Sequence, residues 1–90
     1  MTSLQNKVVI ITGASSGFGE HAARLFSQEG CQVILAARRQ EKLEILAEEL
    51  RAEGGEVLPI VTDVTQHDQI QAMVKSAIDR YGRIDILFNV

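Results

Sequence analysis

The stretch Val8-Val9-Ile10-Ile11-Thr12-Gly13-Ala14-Ser15-Ser16-Gly17-Phe18-Gly19 decides how this chain is read. It opens on consecutive β-branched residues, the composition of a strand buried on both faces. The glycines then fall at Gly-x-x-x-Gly-x-Gly, and beyond them Phe18, Ala22, Leu25 and Phe26 recur at helical spacing. A buried strand, a glycine turn and an amphipathic helix, in that order, begin a β-α-β crossover. Each glycine has a task in such a turn. Gly13 lets the chain leave the strand sharply, Gly17 clears a side chain from the path of an approaching anion, and Gly19 lets the helix pack close to the strand. The free N–H groups and positive dipole of the helix then face that anion. A triphosphate loop is excluded, because no Lys-Ser or Lys-Thr follows the last glycine.

Outward from this segment the alternation repeats. Val33-Ile34-Leu35-Ala36 and Ile84-Asp85-Ile86-Leu87-Phe88 are further apolar runs, and Val57-Leu58-Pro59-Ile60-Val61 is a weaker one. Pro59 has no N–H to donate, which places its strand at a sheet edge. Leu43, Leu46, Ala47 and Leu50 form one helical stripe; Ile70, Met73, Val74, Ala77, Ile78 and Tyr81 form a longer one. Gly30, Gly54 and Gly82 follow the three stripes, where a left-handed residue closes a helix. Thr65 with Asp68 three residues on predicts a variant capping box.

The order β-α-β-α-β-α-β means parallel strands joined by right-handed crossovers. We therefore expect an α/β fold, the N-terminal half of a Rossmann-type doubly wound parallel sheet with strand order 3-2-1-4. The first two helices should share one face, and the third should cover the other alone. Residues drawn from Val8 to Ile11 and from Val33 to Ala36 are then expected to form an exposed patch. Ile84, Ile86, Leu87 and Phe88 should form an unpaired apolar edge, blunted only by Asp85. Such a chain is expected to aggregate, or to be stable only with a partner.

Composition removes several function classes. Ninety residues make one small domain at most. Lys plus Arg number 9 against 12 Asp plus Glu, a net charge of −3, and aromatic residues are 4 % with no Trp. Neither a basic face nor a stacking platform for nucleic acid is present. The single cysteine, Cys31, permits no internal disulfide and no cysteine-rich metal site. His21 and His67 have no second His or Cys at ligand spacing, so no metal is expected. No run approaches the roughly 20 apolar residues of a membrane span. The first residues lack the apolar region of a secretory signal. The expected compartment is the cytoplasm.

At this point the chain resembles the classical short-chain dehydrogenases/reductases. Thr12 to Gly19 is similar to that family's cofactor loop, with Phe18 where Ile is usual. Asp63-Val64-Thr65 resembles its adenine-side motif, and Tyr81-Gly82-Arg83-Ile84-Asp85-Ile86-Leu87-Phe88-Asn89 its fourth-strand signature. The resemblance covers nearly the whole chain, residues 1–90, and implies a truncated NAD(P)-binding Rossmann domain. The implied cofactor contacts are Gly13, Ser15, Ser16, Gly17, Phe18, Gly19, Asp63, Val64 and Asn89. The Asp63 carboxylate would accept from the adenine amino group, and the Val64 N–H would donate to the ring.

The choice of cofactor turns on the end of the second strand, where an acid binds the ribose hydroxyl of NAD. Here that position is Ala37, followed by Arg38 and Arg39. An arginine fork binds a phosphate monoester bidentately, so NADP is expected over NAD. The resemblance places Arg38 at the 2′-phosphate with a hydroxyl from Ser15 or Ser16. The missing acid also argues against a methyltransferase of related fold.

The family's catalytic Ser and Tyr-x-x-x-Lys have no counterpart. Tyr81 is followed four residues on by Asp85 and is read as core. Val90 stands where the family has a second Asn, which leads us to expect a shortened chain or altered splice end. The complete protein would be an oxidoreductase of small alcohols or carbonyl compounds. The alternative is a nucleotide-binding remnant or truncated isoform without turnover. The family's oligomer interface is not expected within these residues.

Overall fold

A computed structural model describes residues 3–90. Among them β1 (Val8–Thr12), α1 (Gly17–Gln28), β2 (Gln32–Ala37), α2 (Gln40–Ala52), β3 (Glu56–Val61), α3 (His67–Tyr81) and β4 (Ile86–Asn89) follow in order. The strands form one sheet in the order β3-β2-β1-β4, parallel throughout. This is the 3-2-1-4 order expected of half a doubly wound sheet, and it puts the Pro59 strand at an edge. The register sets Thr12 beside Ala36 and Asn89, and Ala37 beside Val61. The loops that leave the strands therefore emerge along one edge, where ligands bind in open α/β sheets.

Alternation along the strands sorts the core into two layers. Val9, Ile11, Val33 and Leu35 pack with Ala22 and Ala23 of α1 and with Leu43, Leu46, Ala47 and Leu50 of α2. Val8, Ile10, Ile34 and Ala36 face the other way, onto Met73 and Ala77 of α3. Helix placement thus follows the expected crossovers.

The expected patch on the central strands is not there. Residues 8–11 and 33–36 are all at most 1 % exposed. β1 and β2 are the two inner strands, and α3 lies along them, with Ile70, Tyr81 and Ile84 packed at its margins. One long helix is enough to close two strands. The apolar surface lies instead at the rims: Leu87 is 62 % exposed on β4, with Phe88 and Val61 also open to solvent. Ile84 and Ile86 are partly buried against the core.

Three local expectations need correction. The buried face of α1 is Gly19, Ala22 and Ala23, whereas Phe18 is 83 % exposed and Leu25 half exposed. The helix comes so close to the loop that only small residues fit beneath it, and the bulky ones are displaced to its flank. There Phe26 meets Phe88 of β4 edge to face, ring centroids 5.9 Å apart. Second, Thr65 does not cap α3. The N-cap is Gln66, without a side-chain bond, and Thr65 turns back to Asp63. Third, Asp85 does not guard the open edge. Its carboxylate accepts from the Val8 N–H at 2.8 Å and from Arg83 Nε at 2.9 Å, tying β4 to the start of β1. These bonds, chiefly that from Val8, hold the carboxyl below the usual aspartate range.

Candidate functional site

The turn from β1 to α1 is built from its own backbone. Gly13 takes a left-handed φ of +68°, which an L side chain rarely adopts. The Ser16 hydroxyl accepts from the Gly19 N–H at 3.1 Å and donates to the Gly13 carbonyl at 2.8 Å. The Glu20 N–H goes to the Ser16 carbonyl. Gly17 and Phe18 are left as the first-turn N–H donors, at the positive end of a twelve-residue helix. A Cβ added at Gly17 would meet nothing within 4 Å, so the outer surface of the loop is open to a ligand.

Beside this loop lies a cavity of about 290 Å³. Gly13 and Ser15 form one wall, Ala37, Arg38 and Arg39 the second, and residues 62–65 the third. Backbone bonds join the walls: the Ala14 N–H donates to the Ala36 carbonyl at 3.2 Å, and the Thr62 N–H to the Ala37 carbonyl at 2.8 Å. Parallel pairing thus carries three separate sequence segments into one site.

Its electrostatics are divided. Arg38 and Arg39 are exposed, and neither forms an ion pair among the described residues. On the third wall Asp63 Oδ1 accepts from the Thr65 hydroxyl at 2.6 Å and from its N–H at 2.9 Å. Those bonds, with a smaller contribution from the Arg38 charge, hold the Asp63 carboxyl below its ordinary range. At neutral pH the second wall is cationic and the third carries a fixed acceptor. An anionic group and a hydrogen-bond donor on one elongated ligand suit this pair.

The structure brings Gly13, Ser15, Arg38, Arg39, Asp63 and Val64 to one cavity. It separates the two candidate serines: Ser15 lines the cavity, whereas the Ser16 hydroxyl is spent capping α1. Gly17 and Gly19 belong to that cap. Phe18 lies outside the cavity, in an apolar groove of about 330 Å³ with Leu25, Phe26 and Phe88. Asn89 also lies outside it, across β1, where its Oδ1 accepts from the Thr12 hydroxyl.

Two residues of the site carried no signal in the sequence. Thr62 is a buried residue of the cavity lining, its hydroxyl donating to the Ile60 carbonyl. Gln69 accepts the Asp63 N–H on Oε1 at 2.7 Å. A threonine ending a strand and a glutamine in a first helical turn both read as ordinary polar residues.

The remaining titratable candidates have structural surroundings. Tyr81 is partly buried, and its hydroxyl donates to Glu56 at 2.9 Å. Burial and Glu56 push the phenol up to about 12. The buried Cys31 thiol contacts the Leu4 carbonyl at 3.3 Å and is pushed up by burial. No helix among the described residues is long and apolar enough to cross a membrane.

Comparison with known proteins agrees with this geometry. The short chain dehydrogenase family profile matches residues 7–90. An uncharacterized oxidoreductase of Listeria innocua is 46 % identical over 86 residues, which cover 96 % of this chain and 35 % of that protein. A short chain dehydrogenase/reductase from Burkholderia phymatum, solved in complex with NAD, superposes with a TM-score of 0.93 at 36 % identity, over 97 % of this chain and 31 % of the other. A variant of actinorhodin polyketide ketoreductase with NADPH gives 0.90 at 37 % identity, over 100 % and 34 %. The chain spans about a third of the length of these relatives. One of these two solved structures holds NAD and the other NADPH. With the family pattern running from Lys7 to Val90, and the sheet order and glycine turn in their places within it, this chain belongs to the short-chain dehydrogenase/reductase family.

Proposed function

We propose that the chain binds NADP in preference to NAD, as the cofactor-binding part of an oxidoreductase of alcohols or carbonyl compounds. The observation that supports this most is the second wall of the cavity. At the position of the NAD-binding acid stands Ala37, and the two arginines that follow, without an ion-pair partner among the described residues, line one cavity with Ser15. Without the acid nothing repels a 2′-phosphate, and Arg38 with the Ser15 hydroxyl can hold it, Arg39 adding charge. The donor set fits the rest of a dinucleotide as well. Gly17 and Phe18 offer N–H groups to the pyrophosphate, Asp63 an acceptor to the adenine amino group, and Val64 its N–H to the ring. Gly19 keeps the helix near enough for this. Ser16 holds the loop closed, and Asn89, tied to Thr12, borders its far side.

A bound nicotinamide dinucleotide would supply hydride-transfer chemistry. This chain contributes binding and orientation, and no Tyr-x-x-x-Lys lies in its sequence to move the accompanying proton. The test is calorimetric titration of the full chain with NADPH and NADH. A charge-assisted contact worth about 1.5–3 kcal/mol corresponds to an NADPH preference of about ten- to a hundred-fold. Arg38→Ala should remove most of it. Equal affinity for the two cofactors in the unmodified chain would sink the proposal.

A further inference from the structure

We infer that Gln69 is a positioning residue for the base of the cofactor, and that with Thr65 it makes the site select adenine over a purine bearing a carbonyl at the same position. This rests on the dinucleotide reading above. The loop that follows β3 supplies the third wall of the cavity, and its upstream end is fixed by the two bonds of Thr62. Downstream, Val64 and Thr65 are exposed and have no core packing to hold them. Three side-chain bonds hold them instead, beside the backbone bond from the Gln66 N–H to the Asp63 carbonyl at 3.0 Å. Gln69 Oε1 accepts from the Asp63 N–H at 2.7 Å, and Thr65 occupies Asp63 Oδ1 with both its N–H and its hydroxyl.

The Gln69 bond is unusual in where it reaches. A glutamine at the third position of a helix commonly turns back to the N-cap N–H. Here the N-cap is Gln66, and Gln69 reaches past it to residue 63. The interaction is thus directed at the cavity loop, leaving the helix end without a side-chain cap. With Oδ1 doubly bonded, Asp63 has Oδ2 without a partner among the described residues. A carboxylate oxygen accepts only. It therefore attracts the amino group of adenine and repels the carbonyl of hypoxanthine, provided that the loop holds it in place. A site built around one hydrogen-bonding pattern discriminates strongly against a ligand that lacks it.

The experiment titrates the full chain, Gln69→Leu, Gln69→Glu and Thr65→Val with NADPH and with its hypoxanthine counterpart. The unmodified chain should prefer NADPH by about ten-fold. Gln69→Leu should bring the ratio to within about three-fold of unity, while Gln69→Glu, which keeps an acceptor oxygen, should retain the preference. The bond is exposed to water and contributes little to global stability, so the unfolding midpoint should stay in place while the ratio moves. Should Gln69→Leu fail to fold, Thr65→Val carries the same expectation. Full selectivity in a folded Gln69→Leu or Thr65→Val chain, or an equal loss for both ligands, would overturn the inference and leave the cofactor assignment standing. An unmodified chain that binds neither dinucleotide overturns both.

Discussion

Alanine at Gly19 and alanine at Gly17 should act in opposite directions, although the two glycines stand two residues apart in the first turn of α1. A Cβ on Gly19 would lie 2.1 Å from the Gly13 carbonyl oxygen and 2.7 Å from the Ala14 Cα. Both obstacles are backbone, in a loop pinned by the Ser16 hydroxyl and by the Ala14 N–H bond to β2. Overpacking by a methyl group costs about 1–3 kcal/mol, and a backbone obstacle places this case at the upper end. For a domain of this size each kcal/mol moves the midpoint by about 4–8 °C, so Gly19→Ala should melt roughly 10 °C or more below the parent. At Gly17 the added methyl meets nothing within 4 Å and the residue is helical. There alanine restricts the unfolded chain and should stabilise by about 0.4–1 kcal/mol. The same methyl would stand in the path of the pyrophosphate, so NADPH affinity should fall about ten-fold or more even as stability rises. Circular dichroism melts and calorimetric titration of both variants decide the matter. A Gly19→Ala chain that melts with the parent would refute the close packing of α1 on the loop. A Gly17→Ala chain with unchanged affinity would refute the anion path.

Three further outcomes follow from other contacts. The depressed carboxyl of Asp85 stabilises the fold above the ordinary aspartate pKa of 3.8, and that contribution is lost as pH falls below it; Asp85→Asn should therefore flatten the acid limb of the stability curve, measured by urea unfolding between about pH 2 and 6. Thr12→Val removes the hydroxyl that donates to Asn89 and should cost about 0.5–1.5 kcal/mol, with Thr12→Ser recovering most of it. On the open strand β4, Leu87→Lys should lower light scattering during heating while moving stability by less than about 0.5 kcal/mol.

Sheet order and helix placement were legible because the physical signals were strong. The strand runs are apolar on both faces, and Pro59 marked its own strand as an edge. α1 was harder to read. Hydrophobic periodicity gives weight to large residues, whereas the close approach at Gly19 selects small ones, so of the stripe Phe18, Ala22, Leu25 and Phe26 only Ala22 is fully buried, beside Ala23. Thr65 illustrates a competition between two local motifs. A threonine before a helix resembles a cap, but an aspartate two residues earlier offers its hydroxyl and N–H a nearer acceptor. Coverage of the sheet by α3 depends on which strands are central, a property of the assembled layer that no single segment of sequence carries. Within the site, the motif indicated both Ser15 and Ser16 for the 2′-phosphate. Only the cap geometry separates their hydroxyls, one bound within the loop and the other lining the cavity. Gln69 was silent, since its importance lies in a bond that reaches outside its own helix.

The most direct measurement is a two-dimensional amide NMR titration of the labelled chain with adenosine 2′,5′-bisphosphate and, separately, with adenosine 5′-monophosphate. We expect both ligands to shift Asp63 and Val64, and only the bisphosphate to shift Ser15, Arg38 and Arg39 at low concentration. That pattern would place the base on the third wall of the cavity and the 2′-phosphate on the second. Shifts confined to the apolar groove around Phe18 and Phe88, or identical responses of Arg38 to the two nucleotides, would contradict it.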